Sequence, residues 1–235
     1  MPDFLGYGPR LFQGALLTAQ LALWSLLFSV VLGLAVASAK LSASRLLQGA
    51  SMAYTTIVRG VPELVMMMLL FYGGQFALNM ALGVVGDWLQ RDLFVDLNPF
   101  MAGVVTLTLI YGAYMAETFR AAYLAVGRGQ IEAGLAYGMS PWQIFWRIRF
   151  PQMMRHALPG INNNWMVLLK STALVSIIGL TDMVRVANQA TRDTHHPFLF
   201  MVPVGLAYLL MTAISELFVQ WLQHRYEAGY RPRSH

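Results

Sequence analysis

Residues 11–39 read LFQGALLTAQLALWSLLFSVVLGLAVASA, and this stretch decides the class of the protein. It holds no charged side chain between Arg10 and Lys40. Because a helix needs roughly 20 mostly apolar residues to cross a bilayer, the stretch is long enough to span a membrane. Ala35-Val36-Ala37 resembles a signal-peptide cleavage site, but the apolar run exceeds the roughly 7–15 residues of such peptides. We therefore interpret residues 11–39 as a first transmembrane helix.

The composition of the whole chain agrees with a membrane protein. Of its 235 residues, 57% are hydrophobic and 11% are charged, none is cysteine, and the net charge is +5. A soluble domain carries about 25% charged residues, so this chain lacks the polar surface to cover itself in water. The composition excludes a disordered chain and a disulfide-rich secreted scaffold, and it argues against nucleic-acid binding.

Four further apolar segments follow the first. The predicted spans are 11–39, 52–78, 99–119, 158–180 and 198–222. They define an all-α polytopic membrane protein of about five transmembrane helices, the architecture we expect for this chain.

The basic residues predict the orientation. Segments 40–51, 120–157 and 223–235 hold two, five and three Lys or Arg residues, whereas the segments on the other side hold four in all. Since cytoplasmic segments are enriched in Lys and Arg, we predict that the N-terminus lies outside and the C-terminus in the cytoplasm. Residues 1–11 are then a short external N-terminus and 223–235 a cytoplasmic tail. The loop 79–98 is external and net acidic, with Asp87, Asp92 and Asp96 against Arg91.

The inside segment from about 121 to 156 is too polar to span. Residues 130–137 favour a helix that Gly138 ends, since glycine tolerates the left-handed conformation past a helix C-terminus. Ser140 and Pro141 are typical of the N-cap and first position of a second helix, which we expect Pro151 to break. The segment is either an amphipathic element at the membrane surface or a docking element for a cytoplasmic partner.

Its spacing favours docking. Glu132-Ala133-Gly134, three residues, Gly138, nine residues, Ile148, one residue and Phe150-Pro151 follow in order. This resembles the EAA signature of ABC importer permeases, which is E-A-A, three residues, G, nine residues, I, one residue and L-P. Gly134 and Phe150 depart from it, and glycine weakens a helix by about 1 kcal/mol relative to alanine.

Other parts of the chain resemble the polar amino-acid permeases of the same family, and the resemblance covers about 14–222. We therefore assign 12–222 to an ABC transmembrane type-1 domain, the type I importer permease fold. The residues that carry the resemblance are Gln13-Gly14-Ala15 and Thr18, Arg59 to Glu63, Tyr111 to Tyr114, Glu117 to Arg120, Ala157 to Trp165 and Leu169 to Leu174.

The resemblance implies a non-catalytic permease subunit of the bacterial inner membrane that binds no cofactor itself. A second homologous permease, identical or not, would complete the pore within the lipid bilayer. Two ATPase subunits would bind ATP and Mg, and a periplasmic binding protein would deliver substrate. The chain has no G-x-x-x-x-G-K-[ST] phosphate loop, which agrees with this division of labour. Within the family the resemblance favours histidine and the cationic amino acids lysine, arginine and ornithine; other polar amino acids and opines are the alternatives.

The resemblance also implies that the inside loop couples to the ATPase. Glu132 is expected to make a polar contact there, and Ala133 and Gly138 to allow close approach and the turn. The predicted coupling residues are Glu132, Ala133, Gly134, Gly138, Ile148 and Pro151.

Polar side chains inside the spans are candidates for the substrate pathway, because such groups are costly in a membrane. Arg59 and Glu63 are four residues apart, and they either pair internally or let Glu63 attract a cationic substrate. Glu117 either pairs with Arg120 or faces the pathway. Lys170 either attracts a substrate carboxylate or pairs with an acid of a neighbouring helix. The pathway candidates are Arg59, Glu63, Glu117, Asn162, Asn163, Asn164, Lys170 and Thr172.

The three asparagines follow Pro159-Gly160, where we expect a helix break. Their amides either bond the freed backbone groups or line a hydrophilic path. Glu216 is expected to reach the membrane interface. Asp182 and Arg185 belong to a solvated outer loop or contact the binding protein. His195-His196 lacks the three or four ligands of a metal site, so we predict no metal.

Two other functions are alternatives to an ATP-driven permease. An ion-coupled secondary transporter would use Glu63, Glu117 or Glu216 as a proton site. In such a transporter the EAA-like loop would have no function, so the loop argues against this alternative. A membrane-embedded enzyme is disfavoured because no catalytic cluster stands out in the sequence.

Overall fold

The computed structural model of the chain describes residues 4–89, 91 and 94–227. Asp92, Arg231 and Arg233, which entered the charge counts, lie outside these residues, as does the tail from residue 228 on. Every regular element of the described part is helical, which confirms the all-α prediction. The α-helices are α1 (Phe4–Lys40), α2 (Arg45–Gly60), α3 (Glu63–Met68), α4 (Gly74–Leu89), α5 (Pro99–Ala125), α6 (Arg128–Ala136), α7 (Pro141–Ile144), α8 (Phe150–Ser171), α9 (Met183–Thr194) and α10 (Pro197–Glu227).

The described helices supply four or five crossings, in agreement with the predicted number. Four segments are long and apolar enough to span: Gly6–Lys40, Glu63–Trp88, Pro99–Ala125 and Pro197–Arg225. A fifth crossing is formed if Pro141–Ile178 and Met183–Thr194, which are bent by 53°, count as one broken span.

The second predicted span, 52–78, falls across a helix break and includes parts of α2 and α4 and all of α3. Val61 and Pro62 adopt extended conformations between α2 and α3. Proline disfavours the helical conformation of the residue before it and cannot donate to the preceding turn, so the helix stops here. The helix resumes at Glu63 and continues through a π-helical turn, Leu69–Gly73, into α4.

The helix that contains the fourth predicted span, 158–180, begins well before it, at Pro141. The helix runs without a break from Pro141 through a π-helical turn, Phe145–Arg149, into α8, and a 3₁₀ helix, Thr172–Ile178, extends it. The expected break at Pro151 is therefore wrong. The wide turn before it displaces the carbonyl that the proline ring would meet. The helix also continues through Pro159-Gly160, since prolines are tolerated in helices packed within a membrane bundle.

The core of the bundle lies around α1, α5 and α8. The most extensive interface joins α1 to α5, and α8 also packs against α5. Small buried side chains such as Ala22, Ala113 and Ala116 let these helices approach closely. By contrast, α4 and α10 keep large apolar side chains exposed, as expected for helices in contact with lipid.

Contacts between distant residues show which helix ends share a face of the membrane. The Tyr7 hydroxyl donates to Asp193 over 2.6 Å, so the start of α1 lies beside the end of α9. At the other end of α1, Lys40 contacts Glu117 of α5. The absolute orientation of these two faces stays a prediction from the charge distribution.

Asp182 does not lie in a solvated loop, which corrects that expectation. Its side chain is fully buried and caps α9 by accepting a hydrogen bond of 3.0 Å from the Arg185 backbone amide. The Arg185 guanidinium donates to the Ser176 carbonyl over 3.0 Å. Both residues therefore stabilise the bend between the 3₁₀ helix and α9.

Candidate functional site

A polar cluster joins three helices inside the bundle. Tyr111 of α5 donates a hydrogen bond to Glu63 Oε1 of α3 over 2.5 Å. The Ser171 hydroxyl of α8 lies 2.7 Å from the Tyr111 oxygen, and it donates to that oxygen because the tyrosine proton is engaged by Glu63. Glu63 is half-buried, whereas Tyr111 and Ser171 are buried. The cluster therefore presents a carboxylate beside the core, held in place by a phenol.

Of the two alternatives for Arg59 and Glu63, the internal ion pair is wrong. The helix break at Pro62 separates the two side chains, which would share a face only on one continuous helix. The Arg59 guanidinium instead lies 5.3 Å from the centre of the Tyr114 ring and 4.0 Å from Glu117 Oε1. Because the helix is broken, the Glu63 carboxylate lies beside Tyr111 and not beside Arg59.

Glu117 is the centre of an ionic cluster between α1, α2 and α5. Arg120 Nε lies 3.0 Å from Glu117 Oε2, as the three-residue spacing predicts. Lys40 donates to Glu117 Oε1 and to the Thr55 hydroxyl, and only 6% of its side chain is exposed. The carboxylate therefore neutralises a buried ammonium group that the sequence does not place beside it.

The three predicted asparagines have different surroundings. Asn162 donates to Glu216 Oε2 of α10 over 3.1 Å, so Glu216 is engaged within the bundle and not simply directed to the interface. Asn164 is buried and donates to the Thr118 hydroxyl over 3.0 Å. Asn163 is exposed. The helix is not broken at Pro159-Gly160, and the amides of Asn162 and Asn164 join α8 to neighbouring helices.

The remaining pathway candidates lie near the end of α8. Lys170 is exposed on the surface of the single chain. The Thr172 hydroxyl is buried, donates to the Leu169 carbonyl over 2.6 Å and lies 3.1 Å from the Tyr208 hydroxyl of α10. Lys170 and Thr172 have no such contact with the polar cluster, whereas Ser171 between them reaches it through the Tyr111 hydroxyl.

The loop between α5 and α8 has the local structure that its sequence predicts. Helix α6 is followed by Gly138, which adopts a left-handed conformation with φ = 74°. Ser140 caps α7 by a reciprocal pair of hydrogen bonds with Gln143, and Pro141 occupies the first turn. The capping and turn predictions are confirmed.

Gly134 is the point where α6 meets the next helix. It is buried, and a Cβ atom added to it would lie 2.9 Å from Ile148 Cδ1. A cavity of about 420 Å³ opens beside this contact, with Ala133 and Met139 among its lining residues. Glu132 and Ala133 are exposed. The glycine that departs from the alanine of the EAA pattern thus fits against the isoleucine of the same pattern.

Polar and aromatic contacts fasten the loop to the membrane helices. Gln152 of α8 donates to Gln130 of α6. Arg149 donates to the Tyr123 hydroxyl of α5 over 2.5 Å, and its guanidinium lies 4.4 Å from the centre of that ring. Aromatic rings of Phe145, Trp146 and Phe150 also pack on one another. The loop is therefore attached to both spans that flank it.

Several residues of these clusters were not candidates from the sequence. They are Lys40, Tyr111, Tyr123, Ser171 and Tyr208. Tyr111 belongs to a motif that the sequence contains, but its pairing with Glu63 depends on how α3 and α5 pack. Among these residues only Lys40 has a local sequence feature that draws attention to it. It ends an apolar span, where a basic residue interacts favourably with the helix dipole.

Within residues 4–89, 91 and 94–227, no group of three or more His, Asp or Glu side chains is arranged to hold a metal ion.

A family model describes most of the chain. Residues 29–228 match the model of the binding-protein-dependent transport system inner membrane component. The chain is 49% identical over 226 residues to the histidine/lysine/arginine/ornithine transport system permease protein HisQ of Salmonella typhimurium, covering 96% of this chain and 97% of that protein. It is 46% identical over 226 residues to HisQ of Escherichia coli, with the same coverage. It is 39% identical over 211 residues to the nopaline transport system permease protein NocQ of Agrobacterium fabrum, covering 89% and 88%.

Solved structures with the same fold include transporters. A chain from the crystal structure of an amino acid ABC transporter with histidines superposes with a TM-score of 0.79 at 28% identity, covering 96% of this chain and 99% of that one. A chain of the MetNI methionine ABC transporter in an inward-facing conformation gives a TM-score of 0.70 at 16% identity, again covering 96% and 99%. The second likeness concerns the fold alone.

Proposed function

The chain belongs to the family of binding-protein-dependent transport system inner membrane components, and we propose that it is a permease subunit of an ATP-driven amino-acid importer. One observation carries the coupling part of the proposal. Helix α6 exposes Glu132 and Ala133 but buries Gly134 against Ile148, which belongs to the continuous helix entering the membrane. A push on α6 would therefore move α8 directly.

We assign ATP hydrolysis to partner subunits. In this proposal two ATPase subunits bind ATP and Mg and dock on the segment 121–156, with Glu132 as a polar contact. Gly138 turns the chain between α6 and α7, and the Arg149–Tyr123 contact carries the movement to α5. A coupling of this kind needs packed elements that move together, and the loop contacts supply them. Pro151 lies in the first turn of α8 and does not break the helix, so the segment from Pro141 onward is continuous with the membrane helix.

A second permease subunit is needed because one chain of five helices forms half of a pathway. We propose that a homologous or identical subunit supplies the other half in the bacterial inner membrane. A periplasmic binding protein delivers the substrate on the side where α9 ends. The charge distribution supports an external N-terminus and a cytoplasmic C-terminus for the domain 12–222.

For the substrate we propose histidine and the cationic amino acids lysine, arginine and ornithine. The substrates in the names of the HisQ relatives support this choice, and so does a carboxylate at Glu63. A negative charge beside the core favours a cationic side chain and disfavours an acidic one. Asn162, Asn163 and Asn164, with Lys170 and Thr172, are the proposed polar lining of the same path. The nopaline relative makes an opine the alternative substrate.

The coupling role of Glu132 is tested by Glu132→Lys in the reconstituted transporter. We expect the variant complex to assemble but to lose substrate-stimulated ATP hydrolysis by about tenfold or more, because a charge-assisted contact is replaced by repulsion. Asp87→Lys reverses an exposed charge at the other end of the bundle and serves as the control. Normal transport by Glu132→Lys would remove Glu132 from the interface.

A further inference from the structure

A basic crevice lies where α1 ends, between the start of α2 and the last part of α5. Its volume is about 480 Å³. We define this basic crevice by six of its lining residues: Lys40, Arg45, Gly49, Met52, Glu117 and Arg120. Since the apolar run of α1 stops at Lys40, the crevice lies at the boundary between the membrane and water.

The charges of the basic crevice do not balance. Lys40, Arg59 and Arg120 all approach the single carboxylate of Glu117. Arg45 is exposed and makes no ion pair within the part of the chain that the structure describes. Three cations therefore line the crevice against one acid, and the Arg59 guanidinium adds a fourth positive charge nearby. A bound anion would offset this excess.

The neighbouring surface indicates which anion. Arg45, Gly49 and Met52 are spaced four and three residues apart and share one face of α2. Met52 is 64% exposed, and Leu46 beside Arg45 is 82% exposed. A free inorganic anion would not contact these apolar side chains. A phospholipid has a phosphate that can bind the basic residues and acyl chains that can pack on the apolar ones. Basic residues at this depth attract anionic lipids.

We propose that the basic crevice binds the headgroup phosphate of an anionic phospholipid. Arg45 and Arg120 contact the phosphate from the two sides of the crevice. The acyl chains follow the exposed apolar side chains of α2. Lys40 donates hydrogen bonds to Glu117 and Thr55 and adds its positive charge to the floor of the crevice.

Gly49 offers a steric test that changes no charge. A Cβ atom built on this residue meets nothing within 4 Å, and the residue lies inside a regular helix. A leucine at this position would therefore project into open space within the crevice without straining the backbone. It would occupy the volume in which the headgroup is proposed to sit.

The experiment measures lipid retention by the complete transporter, using native mass spectrometry in mixtures of phosphatidylglycerol and phosphatidylcholine. We expect the unmodified complex to retain phosphatidylglycerol selectively. Arg45→Gln should lower that affinity about fivefold, the effect of one basic residue at an anionic surface. Gly49→Leu should lower it to a similar degree. Arg225→Gln removes an exposed basic residue near the end of α10 and should change nothing.

Other outcomes would overturn the proposal, and none depends on transport activity. Equal retention by Arg45→Gln, Gly49→Leu and the unmodified complex would exclude the crevice as the lipid site. Displacement of the lipid by millimolar inorganic phosphate would identify a soluble anion as the ligand. The Arg45→Cys variant tests for a protein contact. If it cross-links to an acidic segment of a partner subunit and the complex retains no lipid, the crevice is a protein-binding surface.

Discussion

Tyr111 of α5 holds Glu63 of α3 through a hydrogen bond of 2.5 Å, and Ser171 of α8 contacts the same phenol. This relationship joins three helices at one polar point of the bundle. Arg59, on the other side of the helix break at Pro62, interacts with Tyr114 and Glu117 instead. The carboxylate is thus oriented by a neutral hydroxyl and keeps its negative charge available to another cation.

Glu63→Gln tests whether that charge matters to transport. The amide keeps an oxygen that accepts the Tyr111 hydrogen bond but removes the negative charge. We expect the KM for lysine and arginine uptake to rise about tenfold, as for loss of a charge-assisted contact. The measurement is uptake into proteoliposomes, with Asp96→Asn, an exposed acid, as control. Unchanged lysine and arginine uptake would show that Glu63 does not recognise the substrate.

Lys40 and Glu117 form a pair whose contribution can be measured by a double-mutant cycle. Glu117→Gln leaves the ammonium group of Lys40, 6% exposed, without its nearest counter-charge. We expect a loss of about 2–3 kcal/mol, seen as a lower Tm of the complex. Lys40→Met combined with Glu117→Gln should recover part of the loss, because no buried charge is then unpaired. Additive losses in the double variant would mean that the two groups do not interact.

The contact between Gly134 and Ile148 predicts a steric effect on coupling. Gly134→Leu would force α6 away from the membrane helix, since even a Cβ atom lies 2.9 Å from Ile148 Cδ1. We expect uptake to fall about tenfold or more while ATP hydrolysis continues without stimulation by substrate. Gly129→Leu is a matched control on the same helix, where a Cβ atom meets nothing within 4 Å. Equal transport by the two variants would contradict the role of this contact.

The proposed orientation is open to a labelling experiment because the chain has no cysteine. Asp87→Cys and Gly129→Cys each create one exposed thiol, at the two ends of the bundle. A maleimide reagent that does not cross the inner membrane should label position 87 from the outside. It should label position 129 only after the membrane is opened. The reverse pattern would invert the orientation and place α6 out of reach of a cytoplasmic ATPase.

Local features of this fold are readable from the sequence because their causes are local. The left-handed Gly138, the cap at Ser140 and the proline at position 141 each depend on a few neighbouring residues, and all three are confirmed. The long apolar segments are recognisable for a similar reason, since the membrane acts on every residue of a span.

Features that depend on packing are not readable in this way. Pro151 belongs to a continuous helix because a π-helical turn precedes it, and such a turn has no simple sequence signal. Asp182 is buried because the chain bends between the 3₁₀ helix and α9. The four-residue spacing of Arg59 and Glu63 does not bring them together, because spacing along a helix is informative only when that helix is unbroken. Pro62 is the signal that breaks it.

The most direct measurement is uptake by liposomes that contain this chain, its partner permease and the ATPase, with the substrate-binding protein outside. We expect uptake of histidine, lysine and arginine that requires ATP in the liposome lumen, on the side of the ATPase subunits, and that stops when ATP is withheld. Uptake that persists without ATP and follows a proton or sodium gradient would contradict this expectation, because the exposed helix α6 would then have no partner to couple.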